Sequence, residues 1–189
     1  LKRGGRIMAY RNKTYVAFDG DTDIKYYRTM QMWKQNDNTD FNFYDAHDLN
    51  NAMDTSTEET IKRKLRERMS NSKVFVLLVG EGTRNLYKFV RWEIEQAIKY
   101  DLPIIVVNLP KTPGGEGKRS MDSDRCPKIA RETLAIHVSF RSKILQLALE
   151  NWPDSHKSHK NDGENGPYYY KDKVYENLNN YVTLGTSLE

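Results

Sequence analysis

Two segments, "KVFVLLVG" (73–80) and "LPIIVVNL" (102–109), carry consecutive apolar residues at 74–79 and 102–107. A strand with one wet face alternates apolar and polar residues. A short run that does not alternate suits a strand buried on both faces. Strands of that kind belong to parallel sheets covered by helices on either side. These two runs therefore fix the class of fold before any other residue is considered.

The rest of the chain supplies what such a sheet needs. "TYVAF" (14–18), "FNFY" (41–44) and "LAIHVSF" (134–140) read as three more strands. Helical spacing predicts helices over 22–35, with Thr22 or Asp21 as cap, and over 57–70, where Ile61, Leu65 and Met69 lie four apart. Ser56 and Glu59 have the spacing of a capping box before the second helix. "SKILQLALENW" (142–152) predicts a last amphipathic helix. Five strands alternating with helices give an α/β, flavodoxin-like three-layer αβα sandwich. Its five-stranded parallel sheet has the order 2-1-3-4-5.

The 189 residues are enough for one such domain and a tail. Residues 1–12 read as a flexible basic lead-in without a signal peptide's apolar stretch, 13–152 as the domain, and 153–189 as a polar linker and an aromatic C-terminal extension. "YYYKDKVYENLNNYV" (168–182) carries enough aromatics to pack on the body or on a neighbour. The Pro- and Gly-rich segment 110–127 reads as a mobile loop. Its "GGEGK" is not a phosphate loop, because position 112 is Thr and position 119 is Arg. The one cysteine, Cys126, excludes an internal disulfide framework and fits a reducing cytoplasm. No apolar run approaches the roughly 20 residues of a membrane span. The net charge of +4 is small, and the basic run 62–68 sits among Glu58, Glu59 and Glu67. That pattern reads as a solvated helix face rather than a nucleic-acid surface. His156 and His159, three apart in a Lys-flanked polar segment, do not make a metal site.

In sheets of this order ligands sit past the carboxyl ends of the strands where the order reverses. That point gathers Phe18, Asp19, Gly20 and Asp21 with Gly80, Glu81, Gly82 and Thr83. A phospho-receiver would need an Asp at the end of the third strand, where "VGE" (79–81) has none. An FMN phosphate would meet the acidic "DGDTD" (19–23). The helix that follows, in "YKFVRWEIEQAIKY" (87–100), holds two glutamates. At about 100° per residue, Leu86, Val90, Ile94, Ala97 and Ile98 share one apolar arc. Glu93 falls about 20° beyond the edge of that arc, Glu95 turns to solvent, and Trp92 points outward, as if to a partner. A carboxylate bordering a core is costly unless it is hydrogen-bonded or faces a cleft. Geometry alone leaves open whether Glu93 faces that cleft or is an ordinary boundary glutamate.

Phe89-Val90-Arg91-Trp92-Glu93 resembles the Trp-Cys-x-x-Glu frame of the TIR domain family, with Phe and Val at its first two positions. "TYVAFDGDTD" resembles the TIR opening strand and turn, and "VFVLLVGEGTRNLYKFVRWEI" is similar to the TIR-like proteins of bacterial Thoeris antiphage systems. The resemblance covers about residues 13–150. It implies cleavage or cyclisation of NAD⁺ at the nicotinamide–ribose bond, with NAD⁺ as substrate and no resident cofactor or metal. It implies Glu93 as the catalytic group and Phe18, Asp19 and Thr83 as lining residues. Asp45 and Asp48 open the segment that corresponds to the family's BB loop and are further candidates. It also implies a cytoplasmic homo-oligomer whose nucleotide product signals to an effector protein. A non-catalytic TIR-like module that signals by self-association is the alternative.

Overall fold

The computed structural model describes residues 13–35, 43–44, 57–86 and 89–185. Its elements, in chain order, are β1 (Thr14–Ala17), α1 (Ile24–Gln35), β2 (Phe43–Tyr44), α2 (Glu58–Ser70) and β3 (Val74–Val79). A 3₁₀ turn (Thr83–Asn85) then leads into α3 (Phe89–Lys99), β4 (Ile104–Asn108), α4 (Lys128–Arg131) and β5 (Ala135–Ser139). The chain continues through α5 (Ser142–Asn161), β6 (Pro167–Tyr169) and α6 (Asp172–Gly185).

The five expected strands are present and all parallel, and the sheet runs β2-β1-β3-β4-β5-β6. The fold is therefore the flavodoxin-like α/β sandwich, with β6 added at one edge. β3 is fully buried along its length, as its unbroken apolar run requires. Its alternate residues serve two separate cores. Val74, Val76 and Leu78 join Tyr27 and Met30 of α1 and Leu145 and Trp152 of α5. Phe75, Leu77 and Val79 join Leu65 and Met69 of α2 and Val90 and Ile94 of α3.

Helices α2, α3 and α4 connect strands that step one way across the sheet, and all three pack on one face. The connection through α5 steps the same way, yet α5 lies on the α1 face. This last crossover thus has the opposite hand to the three before it, an uncommon arrangement. The cause is coverage. Ile144, Leu145, Ala148, Leu149 and Trp152 of α5 pack in one core with Ile105, Val107, Ile136 and Val138 of the sheet. β6 is only three residues long and largely exposed, so its pairing adds little beside that burial.

Several local expectations change. Helix α5 does not stop at Trp152 but runs to Asn161, through the segment expected to be a mobile linker. Pro153 removes one helical N–H, but Trp152 and His156 are both buried and their contacts carry the helix across it. Trp152 also meets His159 and Tyr168, at 5.9 and 5.6 Å between ring centroids. The cap of α2 is Thr57, whose Oγ1 accepts from the Thr60 N–H at 3.3 Å; Ser56 lies outside the described residues. The residue preceding α1 is Asp23 rather than Thr22 or Asp21, and its carbonyl accepts from the Tyr26 and Tyr27 N–H groups. The aromatic C-terminal extension packs on its own domain. Tyr175 is buried, and its hydroxyl accepts from the Ser139 N–H at 3.2 Å. Arg119 meanwhile binds Asp172 at 2.9 Å.

The 110–127 loop is pinned rather than mobile. Asn108 Nδ2 donates to the Lys118 and Ser120 carbonyls, each at 2.9 Å. Arg125 donates to the Leu109 carbonyl at 2.7 Å and to Asp122 at 2.9 Å. Gly117 lets the loop lie against the end of β4, since a Cβ there would sit 1.8 Å from the Asn108 carbonyl oxygen. Gly117→Ala is therefore expected to cost about 1–3 kcal/mol of stability through overpacking. Hydrogen exchange should also show earlier opening of 110–127 in the variant. Unchanged urea midpoints and unchanged exchange would contradict this account of the loop.

Candidate functional site

Helix α3 sets an acid among the apolar residues of its buried face. Val90, Glu93, Ile94 and Ala97 are its buried residues. Glu93 is only 8% exposed, whereas Ile98, expected inside, is 42% exposed. The helix is thus rotated about its axis relative to a stripe centred on its aliphatic residues, and the rotation brings the carboxylate inward. Glu95 faces solvent and pairs with Arg91 at 3.0 Å. Trp92 does not point outward. It lies half-buried at the seam with α2, where Lys62 and Arg66 stand 5.8 and 5.9 Å from its ring centroid. The basic run on α2 is engaged as expected, Lys62 with Glu58 at 2.8 Å and Arg66 with Glu59 at 2.6 Å.

Glu93 Oε1 accepts a 2.5 Å hydrogen bond from the hydroxyl of Tyr15. Tyr15 is fully buried in β1, and its ring is stacked on Phe75 of β3 at 5.7 Å. Burial pushes the Glu93 carboxyl up to about 7, while the Tyr15 hydrogen bond works in the other direction. Near neutral pH this group is poised between its two protonation states, a property that clusters at functional sites. Sequence reasoning missed Tyr15. The available signal was a phenol inside a strand buried on both faces, since a buried tyrosine hydroxyl usually finds a partner.

A second acidic group occupies the carboxyl ends of β1 and β3. Asp19 and Asp23 are both buried, and the Thr83 Oγ1 accepts from the Gly80 N–H at 2.8 Å. A Cβ on Gly80 would meet the Asp23 carboxyl, and one on Gly82 the Asp19 carboxyl. Burial, then the charge of Asp19, pushes Asp23 up to about 6. Asp23 is a second residue the sequence reading did not select, masked there by its more conspicuous neighbours Asp19 and Asp21. Of the expected lining residues, Asp19 and Thr83 do meet here. Phe18 turns to the α1 face and stacks on Tyr27 at 4.8 Å. Glu93 belongs instead to the Tyr15 group on the α2–α3 face. Asp45 and Asp48 lie outside the described residues. A groove of about 340 Å³ runs between the 3₁₀ turn, α3 and α4, lined by Arg84, Leu86, Arg91, Pro127 and Ile129 among others. Glu93 is not among its lining residues.

No helix among the described residues is long and apolar enough to cross a membrane. A family model for the Thoeris protein ThsB, TIR-like domain, matches residues 15–113, which is 99 of the 189 residues. The chain belongs to that family. The match contains the Tyr15–Glu93 pair, the Asp19, Asp23 and Thr83 group, β2 through β4, and all of β1 but Thr14.

The Glu93 carboxyl has a pH consequence of definite sign. The folded state holds its proton to about pH 7. The unfolded chain releases it near 4.5, so between these values folding takes up a proton and stability falls as pH rises. Glu93→Gln removes that slope. Its stability relative to the unsubstituted protein should rise from about pH 4.5 to 7, by at most on the order of 3 kcal/mol, and then level off. Asp23 contributes a slope of the same sign to both proteins and cancels in the difference. Urea titrations across pH 4.5–8 measure it, and a difference that does not vary with pH would refute the assignment.

Proposed function

We propose that this member of the Thoeris ThsB TIR-like family cleaves or cyclises NAD⁺ at the bond between nicotinamide and ribose, with Glu93 as the catalytic group. The observation that carries the reading is the Glu93 carboxyl on the buried face of α3, held by Tyr15 and raised to about 7. Breaking this bond develops positive charge on the ribose in an oxocarbenium-like state. A carboxylate in a water-poor setting stabilises that charge far better than one in bulk solvent. Nicotinamide leaves as a neutral base, so the step needs no separate general acid. Water as acceptor gives ADP-ribose, and an internal nucleophile gives a cyclic ADP-ribose isomer.

Within this reading Phe18, Asp19 and Thr83, at the carboxyl end of the sheet, and Asp45 and Asp48, in the segment after β2, are proposed to contact the substrate. Membership of a defence-associated family supports a signalling role for the product. The product is then read by a second, effector protein, and the enzyme works in the cytoplasm as a homo-oligomer. One observation favours the alternative, a TIR-like module that signals by self-association without turnover. Glu93 is largely enclosed, with its hydrogen bond made inside the protein core.

Purified protein incubated with NAD⁺ is expected to release nicotinamide, followed by liquid chromatography. Glu93→Gln, which keeps the shape of the side chain and loses its charge, should lower that release by about 10²-fold or more. Equal release by both proteins would remove Glu93 from the mechanism. No release by either, across a range of protein concentrations that allows assembly, would leave the self-association reading in its place.

A further inference from the structure

We propose that Tyr15 is the positioning residue of Glu93: its phenol fixes the carboxylate in one orientation and favours its ionised form. The proposal rests on the reading of Glu93 as the catalytic group. Tyr15 sits on β1, a different element from the acid it serves, so strand and helix together define the geometry. The stack on Phe75, with ring planes 10° apart, holds the phenol from the side. A ring held in this way fixes the position of its hydroxyl oxygen, 2.5 Å from the Glu93 Oε1.

No other side chain among the described residues offers Glu93 a hydrogen bond. On its own helix, Arg91 is engaged with Glu95 at the surface. On α2, Lys62 and Arg66 stand over Trp92 and pair with Glu58 and Glu59. Arg68 of α2 acts on Tyr15 itself, opposing in part the rise of its phenol. β3 presents Phe75, Leu77 and Val79 to this face, none of them titratable. The Tyr15 hydroxyl is therefore the group that opposes the burial of Glu93. The phenol is itself raised well above its ordinary value, by burial first and by the Glu93 charge second. It remains a donor throughout the pH range in which Glu93 titrates.

Tyr15→Phe tests this, since it keeps the ring and its stack and deletes only the donor. A hydrogen bond to the charged form lowers a carboxyl pKa, so its loss raises it. Nicotinamide release from NAD⁺ by the full chain should fall about fivefold at pH 7 in Tyr15→Phe. The acid limb of its pH profile should move up by about one unit, so that activity returns toward that of the unsubstituted protein near pH 9. A merely structural role would lower activity equally at every pH. A profile with its acid limb unmoved would overturn the proposal.

A second readout needs no turnover. Carbon NMR of the Glu93 side-chain carboxyl should give a higher titration midpoint in Tyr15→Phe. Equal midpoints would overturn the tuning role even in an active enzyme. A raised midpoint together with no nicotinamide release would support the Tyr15 role and defeat the enzymatic reading instead.

Discussion

Burial of β3 and β4 on both faces is the constraint on which the rest of this structure depends. Once Val74–Val79 and Ile104–Asn108 are sealed from water, helices must cover both sides of the sheet. The connections then divide between the two faces, α2, α3 and α4 on one, α1 and α5 on the other. The odd-handed crossover through α5 follows from the same demand. The preference for right-handed connections is outweighed by the aliphatic surface of β4 and β5 that α5 covers.

That sealed sheet is also what gives Glu93 its properties. A carboxylate on an exposed helix has the ordinary range of an acid. Here α3 is pressed onto β1 and β3, and the carboxyl loses its water. A single phenol replaces part of that hydration. The outcome is an acid neither fully neutral nor fully ionised near pH 7. The Asp19–Asp23 group at the strand ends arises differently. There, two carboxyls share one crowded corner, against glycines that leave them room. The two groups occupy different parts of the molecule, and the match to the ThsB TIR-like family spans both.

Much of this was legible in the residues, and the failures have identifiable causes. Helical periodicity put Glu93 at the edge of the buried arc and Glu95 in solvent, as observed. It also put Ile98 inside, because a wheel built from aliphatic residues centres on them. The actual orientation of α3 follows its neighbours, and Glu93 is inside because Tyr15 receives it. Trp92 looked free for a partner only because the wheel does not contain α2, whose Lys62 and Arg66 cover it. Pro153 and the polar residues after it read as the end of a helix. Two buried side chains, Trp152 and His156, were enough to carry the helix through. The 110–127 loop had the composition of a mobile segment, and its order comes from Asn108 and Arg125, side chains that reach it across space.

The sequence by itself determined the α/β class, the parallel sheet and its strand order, and which of two neighbouring glutamates is set apart. These depend on periods of two and 3.6 residues and on unbroken apolar runs, which are local and countable. Only the tertiary structure decided that Glu93 meets Tyr15, 78 positions away in the chain, and that Asp23 stands against Gly80. Those contacts depend on how helix and sheet are rotated against each other. That rotation is set by the summed packing of both surfaces, which no one segment encodes.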